Sequence, residues 1–223
     1  MAREPRQKGT SFLPVVLALK ARPDRQQLVP MPMWKYFDDH IVVSGWYPER
    51  DYFVLVEALA NTIDPKTVGG DVWRFFARYS VRGDLGGTDV PRGGKSATKG
   101  VYRNFASVTP DEPEVFFRRA MKLWSQYHDA GTMQVVGGRK ETNSVVIRLV
   151  GLHIPIEGFV RLQGHYLEEF GRMIGLEIES QVTRSTARGE PFCEWEYHLA
   201  RSPASERYVG SLPAVPGEGK SQP

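Results

Sequence analysis

Few side chains in this sequence are spaced for chemistry, and His165 is the clearest of them. Glu168 and Glu169 follow it at three and four residues. On a helix those spacings put imidazole and carboxylate on one face, where they could share a metal ion. No third ligand lies nearby, so a solvent-facing or capping histidine is the simpler expectation. His128, near a predicted helix C-terminus, sits where an imidazolium is favoured in any case. Glu168 and Glu169 adjoin, point apart on a helix and make no acid–base pair. The only cysteine, Cys193, lies in an apolar-alternating run. A nucleophile needs a base or cation beside it, and the local sequence supplies none, so Cys193 reads as a small buried residue. A lone cysteine also excludes an internal disulfide and a cysteine-rich zinc site. No Gly-x-Ser-x-Gly elbow occurs. Gly93-Gly94-Lys95-Ser96 ends like a phosphate-binding loop, but Asp89 stands where that loop needs its first glycine. A helix, not a strand, is predicted before it. The patterns predict no catalytic residue, no metal ligand and no cofactor.

The elements that must position these residues are legible from periodicity. Phe159, Leu162, Tyr166, Phe170, Met173 and Ile174 recur at three and four, the helical period, and Gly175 stops the run. Leu176, Ile178 and Val182, then Phe192 and Tyr197, alternate with polar residues around an Arg188-Gly189-Glu190 turn, a hairpin pattern. A first hairpin is predicted from Met133–Val136 and Val145–Val150 around Gly137-Gly138-Arg139. Helices are predicted over Ser11–Ala21, from Pro48 with Tyr52, Leu55, Val56, Leu59 and Ile63 inward, over Thr67–Val81, over Val101–Ser107, and from Thr109-Pro110 to Gly131. Ile41–Ser44 is a short apolar run, strand or helix end. Gly83–Gly100 holds six glycines and reads as a mobile loop. The expected fold is α+β: N-terminal helices packed on a four-stranded antiparallel sheet made of two hairpins bridged by a long helix. Residues 1–9 are expected to be a disordered tail, 10–200 a single domain, and 201–223, rich in Pro, Ser and Gly, a second disordered tail.

The chain has 223 residues, enough to bury about 70% of its unfolded surface without staples. No run of 18 apolar residues exists, so no membrane span is expected. The apolar run after the charged N-terminus is short, contains Pro14 and lacks a cleavage site, so a cytoplasmic protein is expected. The net charge of +3 is too small to imply nucleic acid. Its distribution is uneven. Lys66–Arg103 carries eight basic and three acidic residues, whereas Glu157–Glu179 has a balance of −3. These two segments could face each other within the fold or between subunits, or be separate solvated faces. Gly164, Gly171 and Gly175 share one helical face. Each costs about 1 kcal/mol against alanine, so a sheet, a helix or a second subunit is expected to approach closely there. Gly164, Gly171 and Glu168 are the candidate interface residues of an expected homodimer. Aromatics are frequent: Trp46, Tyr47, Trp124, Phe159, Tyr166 and Phe170 are the candidate lining of an apolar cavity, although such stripes are more often plain core.

Tyr79-Ser80-Val81-Arg82 shares its residue types with the tyrosine–serine–arginine clamp of haem nitric-oxide sensors. The clamp's members are separated by one residue each, a spacing this stretch does not have, so haem is not expected. A broader resemblance is carried by Ile41-Val42-Val43-Ser44-Gly45-Trp46-Tyr47-Pro48 with Tyr52, by Phe116–Gly131 with Leu123-Trp124 and Tyr127-His128-Asp129-Ala130-Gly131, and by Gly158 and Cys193-Glu194-Trp195. These blocks resemble a myxobacterial paralogous family of roughly 200-residue proteins of unknown function. That family is similar in turn to the superfamily of vinyl-reductase-like domains, haem-nitric-oxide-binding associated domains and trafficking-complex subunits. The resemblance implies a dimeric ligand- or protein-binding α+β domain. The zinc cysteines of the sensor relatives have no counterpart here, and Cys193 is on a predicted strand rather than a lipidated helix. The expectation is a non-enzymatic regulatory or signalling domain that binds a small apolar or amphipathic ligand in an internal cavity. A dimeric protein-interaction or scaffold module without a ligand is the alternative.

Overall fold

The computed structural model describes residues 3–84, 105 and 107–216. Its centre is a four-stranded antiparallel sheet of β3 (Thr132–Arg139), β4 (Ser144–Val150), β5 (Ile178–Arg184) and β6 (Cys193–Leu199), in the order β3-β4-β6-β5. The expected fold class is therefore observed, with two hairpins side by side. The helix that bridges them, α7 (Glu157–Met173), lies against β5. It ends as the sequence predicts, at Gly175 with φ +77°. The second hairpin turns through Gly189 at φ +84°.

Before the sheet come α1 (Gly9–Lys20), the short α2 (Arg25–Leu28) and α3 (Lys35–Asp38), α4 (Glu49–Ala60), α5 (Val72–Asp84) and α6 (Pro113–Tyr127). In α1, Phe12, Val15, Val16 and Leu19 recur at helical spacing and are buried. In α4, Tyr52, Leu55 and Val56 do the same. Ile41–Ser44 is neither strand nor helix end. Ile41 is buried in a turn that leaves Val42 and Val43 exposed.

Three boundaries differ from expectation for physical reasons. The helix expected from Thr67 starts at Val72, because Gly69 and Gly70 adopt positive φ and break the run, and Asp71 recaps it. The helix expected from Pro110 starts at Pro113, because two prolines compete for the first position. Glu112 instead accepts hydrogen bonds from the Thr109 amide and hydroxyl, tying residues 109–112 into a turn. The turn of the first hairpin lies at Lys140–Asn143, not at the glycines.

Neither terminus is the tail that composition suggests. Arg6–Lys8 forms β1, paired antiparallel with β2 (Trp46–Pro48), and Gln7 is buried. Past Ala200 the chain forms α8 (Pro203–Ser211), opened by a Ser202/Ser205 capping box and burying Tyr208 and Val209. Val215 is buried as well. Gly137 and Gly138 are there for this segment: a Cβ on them would lie 2.7 Å from the Pro213 carbonyl and 2.9 Å from that of Val209. The glycine-rich interval from residue 85 to 100, with its phosphate-loop-like stretch, and most of the helix expected over Val101–Ser107 lie outside the described residues.

Candidate functional site

Helices α5 and α7 meet along a seam whose closeness is set by one residue. A Cβ on Gly158 would fall 2.0 Å from Cε2 of Trp73, so only glycine lets the indole lie on the first turn of α7. On the same helix, Glu157, Arg161 and His165 recur every four residues and line one wall of a groove. Asp71 and Arg74 of α5 and Ser180 and Val182 of β5 complete it, around about 390 Å³.

The polar side chains are joined into one network. Asp71 caps α5: Oδ1 accepts from the amides of Trp73 and Arg74 at 3.0 and 3.1 Å. Its Oδ2 accepts from Arg161 at 2.5 Å. Glu168 lies beneath, fully buried, and accepts from the amide and hydroxyl of Ser180 at 2.8 and 2.6 Å. Those are groups of the edge strand β5 that α7 thereby covers. Arg74 reaches the other Glu168 oxygen at 3.1 Å. His165, 7% exposed, stands between the two carboxylates. Its Nδ1 is 3.2 Å from Glu168 Oε2. Its Nε2 is 3.3 Å from Asp71 Oδ2 but makes no hydrogen bond.

Both carboxyls are held ionised. Burial pushes Asp71 up, but the Arg74 amide, the Arg161 and His165 charges and the Trp73 amide outweigh it, and its pKa falls below 3.8. Burial likewise pushes Glu168 up, and the hydrogen bonds from His165 and Ser180 overcome it, leaving it below 4.5. Ser180 donates to a carboxylate rather than to the imidazole, so the trio is not a nucleophilic triad. Cys193 is buried, and its thiol is pushed up chiefly by that burial. Among the described residues no group of three or more His, Cys, Asp or Glu could hold a metal ion.

The structure does not gather the six aromatics expected to line one cavity. Trp46 lies under Lys8 and Arg6 beside β1. Tyr47 packs on Phe12, and its hydroxyl accepts from the Val42 amide at 2.8 Å. Trp124 stacks on His128. Phe159 packs edge-on against Tyr52 and Phe53. Phe170 stacks on Phe105, and Tyr166 stacks on Phe170 and bonds Ser80. None of the six lines this groove or the smaller depression at Lys20, Arg25, Trp34 and Phe37.

The candidate interface residues are likewise internal. A Cβ on Gly164 would lie 2.6 Å from Ser180 Oγ, and one on Gly171 2.7 Å from Ile178 Cδ1. The glycine face of α7 therefore packs on its own chain's β5, and Glu168 is 1% exposed. Basic and acidic segments do meet, but within one chain, as Arg74–Glu168 and Arg78–Glu169. The His165–Glu168 pair was visible in the sequence. Asp71, Arg74, Arg161 and Ser180 were not, and their only trace there was the charge asymmetry.

No family model and no curated protein matches the chain. Solved structures do. A Cs H-NOX mutant carrying 4-cyano-L-phenylalanine is 10% identical over 88% of this chain and 98% of its own, with a TM-score of 0.51. An H-NOX protein from S. oneidensis in the Fe(II)NO ligation state is 16% identical over 87% and 99%, at 0.43. A structure from a study of heme distortion in the H-NOX family is 10% identical over 87% and 95%, at 0.48. The likeness at 0.51 is one of fold alone.

Haem does not fit the donors this chain has. All five histidines and the cysteine are among the described residues. His40 and His153 are exposed, and His198 is half-exposed beside Glu196. His128 is bound to Glu49 and covered by Trp124, and His165 belongs to the ion network. Cys193 contacts Thr186 on a buried strand. Between α6, α7 and α8 the interior is occupied by rings: Phe105 lies 5.0 Å from Phe170 and 5.4 Å from Phe116, and Phe117 lies 5.8 Å from Tyr208. What the chain shares with the H-NOX structure at 0.51 is the arrangement of its helices and sheet.

Proposed function

We propose that this chain is a regulatory domain that responds to a small ligand and performs no chemistry on it. One observation carries the reading. His165 is buried in an open groove, held from one side by Glu168, with its second ring nitrogen unpartnered. A buried polar atom without a partner costs about 1–3 kcal/mol, and a ligand that satisfied it would recover that energy. The groove joins the helical half to the α7–β5 half, so an occupant would bridge both. The fold likeness to an H-NOX protein at a TM-score of 0.51 agrees with a sensory, ligand-binding role. The occupant is small and amphipathic, with polar ends suited to the network and a short apolar part for Val182.

The test is a thermal-shift screen of the full chain against metabolite-sized compounds, with hemin included. Saturable stabilisation by one compound class, and no Soret band in the purified protein, are expected. A chain that no compound stabilises, or that purifies with stoichiometric haem, contradicts the reading. A second reading, an interaction module without a ligand, draws on the exposed Leu17, Met31 and Tyr79. It predicts sedimentation as a dimer or larger species at micromolar concentration and an empty screen.

A further inference from the structure

We propose that the depression between α1, α2 and α3 binds a free α-amino acid with an aromatic side chain. It shares no lining residue with the groove between α5 and α7, and the inference does not depend on the reading of that groove. Lys20, the last residue of α1, Arg25, the first of α2, and Asp38, the last of α3, line it together with Gln26, Trp34 and Phe37. The space is about 280 Å³, the room of about nine waters.

Its charges are those that the surrounding pairs leave over. Asp24, next to Arg25 in sequence, is held by Arg22 through both oxygens at 3.0 Å. Lys35, on the same helix as Asp38, is taken by Asp51 at 3.2 Å. Among the described residues Lys20, Arg25 and Asp38 have no ion-pair partner, and Arg25 reaches only the Arg22 carbonyl, at 3.4 Å. Two cations and a carboxylate thus line one depression without pairing with each other. A ligand that bridges them needs both signs. A lone carboxylate would face Asp38 uncompensated, and a lone amine would sit beside two cations. An α-amino acid carries both groups on one carbon. The guanidinium fork of Arg25 and the Lys20 ammonium match its carboxylate, and Asp38 matches its ammonium. Trp34 sets the side chain. Its Nε1 donates to the Val29 carbonyl at 3.2 Å, so the indole offers its ring rather than its N–H. With the buried Phe37 it gives the depression an aromatic wall, against which another ring packs.

Lys20, Gln26 and Asp38 are exposed and Arg25 is half-buried. Charges so screened give an affinity of about 1 mM rather than micromolar. The experiment is an NMR titration of the full chain at neutral pH and low salt, read on the tryptophan indole N–H signals, with Trp34→Phe assigning that of Trp34. The probes are L-phenylalanine, 3-phenylpropanoate and 2-phenylethylamine. Saturable movement of the Trp34 signal by phenylalanine is expected. The two analogues, each lacking one charge, should bind about tenfold more weakly. Arg25→Gln should weaken phenylalanine and phenylpropanoate and spare phenylethylamine, and Asp38→Asn should do the reverse. His165→Gln, in the groove, should titrate as the wild type does. Equal binding of the three probes would mean ring contact alone and overturn the proposal. So would the absence of saturable binding, or an Arg25→Gln or Asp38→Asn chain that binds phenylalanine as the wild type does. A phenylalanine response lost in His165→Gln overturns it too, and assigns the amino acid to the groove. Failure on the other counts leaves the groove reading as it stands.

Discussion

His128 and His165 are both more than nine-tenths buried and both face carboxylates, yet their surroundings differ in one respect. His128 is closed on every side that its neighbours define. Its Nδ1 is 2.6 Å from Glu49 Oε1, its ring lies flat on Trp124 with centroids 3.6 Å apart, and its backbone bridges to Gln7. Next to it, Asp129 accepts from the Arg6 amide and side chain. This cluster ties β1 and α4 to the end of α6. His165 has as many charged neighbours, but one ring nitrogen is unpartnered, and the groove opens beside half-exposed arginines. Gln7 and Glu49 also keep an unpartnered buried oxygen each, but neither lines either depression. A buried titratable residue thus reads as structural or as functional by what its last polar atom faces.

The sharpest way to break this comparison is stability. Glu49→Ala removes the carboxylate from a buried pair and should cost about 3–5 kcal/mol in urea unfolding. His165→Gln should cost only about 1 kcal/mol, because Glu168 keeps Arg74 and both Ser180 donors. Equal losses would erase the distinction. Next in size is Gly164→Ala. The new methyl would push Ser180 Oγ off Glu168, costing about 1–3 kcal/mol by overpacking and weakening any ligand response with it. A melting temperature and a ligand shift both unchanged from wild type would show that the seam tolerates what its distances forbid.

Acid should act on the His165 region through Asp71 and Glu168. Their folded pKa values lie below 3.8 and 4.5, so their stabilisation is present above those values and is lost as pH falls through the depressed folded ones. Asp71→Asn/Glu168→Gln should therefore flatten the acid limb of stability below about pH 4.5. A limb as steep as the wild type's would place the acid-sensitive carboxylates elsewhere. The smallest effect is chemical. Cys193, buried and with its thiol pushed up, should resist iodoacetamide in the native chain at pH 8 and react in urea. Native labelling would show that β6 opens.

The four strands and the long helix were legible because each is an apolar run of regular period, with glycines at positive φ ending the helix at Gly175 and turning the second hairpin at Gly189. The terminal segments were not. Val209, Val215 and Gln7 are single buried residues in polar or proline-rich stretches, and their burial depends on partners far along the chain. Gly137 and Gly138 look like a turn in sequence, and only the presence of α8 shows that they leave space. For the site, the sequence supplied His165 and Glu168 at i and i+3 and a charge contrast between two segments. It could not say that Asp71 would cap α5 within reach of α7, because that position depends on Trp73 resting on Gly158. The aromatics misled for a related reason: their spacing shows that they face inward, not which ring each one meets.

One paired measurement tests the central claim most directly. Wild type, His165→Gln and His128→Gln are unfolded thermally with and without a compound that stabilises the wild type. The account predicts that His165→Gln melts close to the wild type but loses the ligand-induced shift. It predicts that His128→Gln melts well below the wild type yet keeps the shift. A ligand shift that survives in His165→Gln, or one that disappears in a folded His128→Gln chain, would contradict it.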